Sequence, residues 1–159
     1  MLPPLTALTL FAVWGMVLVA SIGAWRLVLV LTAGKRAGDF TAGAKHGSDA
    51  YWRLNRAHMN TVENLPIFGV LVLSGAYLQV QDLAFQLLPS LVLYARIAQS
   101  TIHLASGSAV AVTLRFTAYL VQVASMFVIA YSVLAATGVP LVMLLAAAAT
   151  SESRSNVRS

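Results

Sequence analysis

Arg53-Leu54-Asn55-Arg56-Ala57-His58-Met59-Asn60-Thr61-Val62-Glu63-Asn64-Leu65-Pro66-Ile67-Phe68 runs two arginines, three asparagines and a glutamate straight into a long apolar segment. On an α-helix, at ~100° per residue, Arg53, Arg56, Asn60 and Glu63 fall within an arc of roughly 80°. One stripe of a helix entering a membrane thus carries cation, cation, amide and carboxylate. Each charge costs about 2.5–3.5 kcal/mol on insertion scales unless it faces protein or a wet cavity. Arg53 and Arg56 alone fit a helix end resting in the headgroup layer. Asn60 and Glu63 sit about one to two turns deeper, where that explanation fails.

The surrounding composition fits a membrane. The chain has 159 residues, one domain's worth. It is 59% hydrophobic and 9% charged, whereas a soluble domain carries about 25% charge. Its mean hydropathy is +0.81. These values describe an integral membrane protein. Cysteine is absent, which excludes a disulfide framework, a thiol redox centre and a cysteine metal site. Any thiol chemistry must use a thiol brought by the substrate. The formal charge of +5 is spread along the chain, with several arginines inside apolar segments. That distribution suits an anionic ligand or the anionic membrane surface better than nucleic acid.

Before the opening stretch, residues 5–32 are apolar apart from Arg26 and long enough to span a bilayer. A signal peptide is the rival reading, but the segment lacks a positive n-region and is too long. Arg26 has two readings, snorkelling to the interface or facing inward onto a ligand. Residues 33–50 form a polar loop with four glycines, and Gly47-Ser48-Asp49 offers a cap for the next helix. That second span covers about 51–79, with Pro66 expected to bend it.

Gln81-Asp82 marks a turn before a third span at about 83–105, where Arg96, Gln99 and His103 share an arc of about 60°. Ser106-Gly107-Ser108 is the next turn. The fourth span, about 112–136, places Arg115, Tyr119 and Gln122 within roughly 60°. Residues 137–140 stop it, 141–149 are apolar but too short to cross, and 151–159 form a polar, disordered tail. The expectation is one all-α domain over residues 1–150, with four spans and no internal repeat. The first loop is the most basic, so both termini should lie outside and the first and third loops in the cytoplasm.

In that topology the three polar stripes lie towards one membrane face. Four arginines, one carboxylate and several amides then share a common depth, where charges must pair or line a cavity. An arginine excess suits a ligand with carboxylates or phosphates, which the guanidinium fork binds bidentately. Glu63 either pairs with Arg96 or Arg115 or binds a ligand ammonium. No residue type here announces an enzyme unaided, since there is no HExxH and no glycine-rich phosphate loop. His46 reads as a solvated loop residue, and His58, roughly 140° from both Arg53 and Glu63, as a packing or lipid-facing one. The three histidines are scattered and make no metal site. Tyr119 also fits an interfacial anchor.

The pattern Arg-x-x-Arg-Ala-His-x-Asn-x-x-Glu-Asn-x-Pro-x-Phe, from Arg53 to Phe68, resembles the signature of the MAPEG proteins, membrane-associated proteins in eicosanoid and glutathione metabolism. The resemblance extends to length, four spans and a long basic first loop. It implies an integral membrane four-helix bundle, up-down and antiparallel, assembled as a homotrimer with glutathione bound between subunits near the cytoplasmic face. It implies that Arg53, Arg56, Asn60 and Glu63 bind glutathione. Arg96, in Tyr94-Ala95-Arg96, looks like a family arginine of the third helix. Arg115, followed by Tyr119, resembles the fourth-helix arginine that stabilises the glutathione thiolate. Gln99, His103 and Arg26 complete the implied ligand set.

Met59, Thr61, Gln99 and His103 depart from the eicosanoid-making members, as does the longer spacing from Arg96 to Arg115. The resemblance therefore points to a glutathione transferase, with peroxidase activity as an extension, acting on lipophilic electrophiles in a bacterial inner membrane. Two other readings stand beside it. One is a non-catalytic protein of this fold that binds another anionic amphiphile. The other, a small drug or proton-coupled transporter, lacks the acidic residue expected in its first span.

Overall fold

Two prolines, Pro3 and Pro4, start the first helix, where the missing N–H costs nothing. In the computed structural model, which describes residues 1–41 and 45–138, this helix is α1, Pro4–Ala33. It ends at Gly34, whose left-handed φ of 62° lets its N–H reach the Leu29 carbonyl. A single 3₁₀ turn follows at Ala37–Asp39. The remaining helices are α2 at Asp49–Tyr77, α3 at Leu83–Ala105 and α4 at Ala109–Ala136. No strand occurs among the described residues.

Polar caps set the helix starts. The Ser48 side chain accepts from the Tyr51 N–H, Asp82 from Phe85 and Ser108 from Ala111. The cap at Ser108 explains why α4 begins three residues before the expected 112. Lys45 donates to Asp49 at 2.8 Å and holds its exposed carboxyl below the usual carboxylate range, first by that hydrogen bond and then by its charge. At the other end of α2, Gln79 takes a φ of 54°. Val80 N–H then reaches Gly75 O and Gln79 N–H reaches Ala76 O. This pair of bonds closes the helix two residues short of the expected end. The α2 helix runs through Pro66 as one continuous element. Residues 141–149 and the tail 151–159 lie outside the described residues.

Helices α1 and α4 are each long and apolar enough to cross a membrane, with mean hydropathies of 2.2 and 1.8 over their most apolar stretches. Helices α2 and α3 carry the charges. Contact is most extensive between α3 and α4 and between α1 and α2, while α2 and α3 each touch every other helix. The interior has three layers. Phe11, Phe68, Val72, Phe85, Val92, Leu93 and Ile129 make an apolar core towards one end. Gly75 lies against Phe85 so closely that a Cβ there would stand 2.0 Å from the ring. Leu18, Ile22, Tyr51, Leu54 and Ala57 make a smaller core between α1 and α2 towards the other end. Between them lie buried polar groups, Thr61, Arg96, Gln99, Ser100, Gln122 and Ser125.

Candidate functional site

The polar layer opens into a cavity of about 380 Å³. Its walls come from the first half of α2 (Asn60, Glu63, Asn64), the second half of α3 (Arg96, Gln99, Ser100, His103) and the first half of α4 (Arg115, Phe116, Tyr119). The three stripes expected from helical spacing therefore do converge. Helical phase explains it: each stripe is the face its helix turns towards its neighbours.

Arg96 sits deepest. It is 1% exposed, and its Cζ lies 5.7 Å from the centre of the Phe11 ring. Its Nε and Nη2 have no hydrogen-bond partner among the described residues. Glu63, also on the cavity wall, forms no ion pair among the described residues. The expected pairing of Glu63 with Arg96 or Arg115 is thus not made in this chain. An unpaired buried guanidinium is expensive, because desolvation is not offset by a counter-charge.

One turn further along α3, Gln99 accepts a hydrogen bond from Gln122 Nε2 at 3.1 Å. Gln122 Nε2 also donates to Ala118 O. This leaves Gln122 Oε1 and Ser100 Oγ buried without partners. Towards the mouth, the Arg115 guanidinium donates through Nη1 to Nδ1 of His103. His103 Nε2 is buried and has no partner. The cavity therefore offers a buried cation, a second cation oriented by an imidazole, a carboxylate and several amides. Such a lining binds a zwitterionic ligand with an excess of negative charge.

Three of the expected site residues lie elsewhere. Arg26 donates through Nε to the Tyr51 hydroxyl at 2.6 Å and stacks over Phe40 and Tyr51. It neither snorkels freely nor faces the cavity. Arg53 donates to Leu104 O at 3.4 Å, tying α2 to the end of α3. Arg56 is exposed. His46, expected to be solvated, instead packs its ring 5.3 Å from Tyr51 and 6.2 Å from Phe40. An aromatic lid over the ends of α1 and α2 accommodates it.

Asn64, Ser100 and Phe116 join the wall without having been singled out as site residues. Ser100 lies one turn from Arg96 on the same stripe, a signal the spacing already carried. Asn64 and Phe116 each neighbour a predicted residue and only the packing admits them. No curated protein matches this chain. A family model described as "MAPEG family" matches residues 4–135.

Proposed function

The chain belongs to the MAPEG family, and from that premise we propose that it is a membrane-bound, glutathione-dependent transferase with peroxidase activity. Membership and the two apolar helices make it a membrane protein of the glutathione and eicosanoid metabolism family. The observation that carries the finer reading is Arg96, a buried guanidinium with two unpartnered nitrogens on the wall of a cavity that also holds Arg115. A glutathione carboxylate on Arg96 would complete the missing counter-charge. Glu63, left unpaired, is free to take the ligand's ammonium.

Arg115 then stabilises the thiolate. A thiol of pKa about 8.5 is mostly protonated at neutral pH, and an adjacent guanidinium favours the nucleophilic anion. On binding, the thiol proton leaves to water. The sulfur then forms a bond to an electrophilic carbon arriving from the bilayer, and the leaving group departs with its electron pair. Gln99 and Ser100 hold the peptide, and Tyr119 and Phe116 flank the route from the lipid.

The assembly belongs to the same proposal. Short connections at 78–82 and 106–108 support an up-down antiparallel bundle. In the homotrimer the family resemblance implies, Arg26, Arg53 and Arg56 would meet the ligand from the mouth or from a neighbouring subunit. The basic first loop supports a bacterial inner-membrane location with the first and third loops cytoplasmic.

The test is an ultraviolet difference spectrum with glutathione near neutral pH, for wild type and Arg115→Ala. A thiolate band lost in the variant, by roughly 100-fold in thiolate population or more, is expected from removing one such donor. Glutathione that gives neither a band nor binding heat with the wild type sinks the reading. Binding heat without a band would favour the non-catalytic alternative.

A further inference from the structure

We propose that His103 is a positioning and hydrogen-bond-donating residue that directs this site towards electrophiles whose leaving atom is oxygen: hydroperoxides and epoxides. The inference rests on the glutathione reading and deepens it. Arginine has donors and no acceptor. The contact between Arg115 Nη1 and His103 Nδ1 therefore makes Nδ1 the acceptor, which places the imidazole's single proton on Nε2. That atom is buried, has no partner, and belongs to a residue on the cavity wall. The imidazole thus does two things. It takes up one guanidinium edge, orienting the rest of Arg115, and it presents one N–H into the space beside it.

A fixed N–H adjacent to a thiolate site has little to offer the thiolate's attack itself. Its value lies where negative charge appears next, on the atom that leaves. With a hydroperoxide, the thiolate sulfur bonds to the terminal peroxide oxygen, the O–O bond breaks, and an alkoxide departs with the electron pair. Sulfur is oxidised to a sulfenic acid and the peroxide is reduced. The His103 Nε2–H bonds the alkoxide until it takes a proton from water. A second glutathione thiol then converts the sulfenic acid to glutathione disulfide and water. With an epoxide, a C–S bond forms, a C–O bond breaks, and the same N–H meets the alkoxide. A chloride leaving group is large and diffuse and gains much less from one N–H.

The experiment measures turnover of the full chain in detergent or bilayers with glutathione and two electrophiles, cumene hydroperoxide and 1-chloro-2,4-dinitrobenzene. Wild type is compared with His103→Phe, which removes donor and acceptor, and His103→Gln. The glutamine amide can accept from Arg115 and still donate into the cavity. The expected result is a fall of roughly 100-fold in the hydroperoxide-to-chloroarene ratio of kcat for His103→Phe. His103→Gln should restore that ratio to within about tenfold of wild type, on the same donor argument. A ratio unchanged in His103→Phe, with both rates falling together, would overturn the inference and leave His103 a structural residue. Should His103→Phe fail to assemble, His103→Leu is measured in its place. A wild type with no thiolate band and no turnover of either electrophile would instead remove the glutathione reading itself.

Discussion

Around Phe11, Phe68, Val72, Phe85 and Ile129 the buried polar side chains all have work to do in holding the bundle. Ser90 binds both the N–H and the carbonyl of Leu2, and Ser132 donates to Asp82, the cap of α3. Around Arg96, Ser100, His103 and Gln122 the buried polar atoms are left open. Both regions lie in one helical bundle and are built from the same four helices. The contrast separates stability from function: satisfied groups hold the fold, and unsatisfied ones await a ligand. Leaving a buried donor unmade costs on the order of 1–3 kcal/mol, and more for a charge.

The contrast can be broken by substitution, beginning where the effect is greatest. Phe68 is fully buried against Phe11, so Phe68→Ala should lower the free energy of unfolding by about 3–5 kcal/mol. Thermal or denaturant unfolding in detergent measures it, and glutathione affinity of the folded fraction should hold. A tenfold loss of affinity would show the two regions to be coupled. Gly75→Ala comes next. Its Cβ would meet the Phe85 ring, costing about 1–3 kcal/mol through overpacking. An unchanged midpoint would mean the ring swings aside at no cost.

Arg96→Met should do the opposite. Removing an uncompensated buried cation leaves stability unchanged or raises it by roughly 1 kcal/mol, while glutathione binding by calorimetry should weaken at least tenfold. Lower stability with unchanged binding would assign Arg96 to the scaffold and erase the distinction.

Much of this organisation is legible in the residue order. The caps at Ser48, Asp82 and Ser108 lie next to their helices, and three polar stripes recur at helical spacing. From that spacing alone, Asn60 with Glu63, Arg96 with Gln99 and His103, and Arg115 with Tyr119 were expected on common faces, and all seven line the cavity. The same reasoning grouped Arg53 and Arg56 with Glu63, and there it fell short. Helical phase gives a face but not a depth, and these two lie above the cavity, Arg53 on the end of α3. For Arg26 and His46 spacing carried no information, because their partner Tyr51 is brought to them by the way the first loop folds back.

Periodicity, capping and turn chemistry are local, acting over a few residues, so the order of residues is enough to place the helices and the direction each stripe faces. Partnership across helices is not local. That Arg96 lies over Phe11 with two nitrogens free, and that Arg115 meets an imidazole nitrogen instead of Glu63, depends on helix separation and on side-chain reach. A difference of a few ångströms turns an ion pair into an open site, and interhelical packing sets that distance.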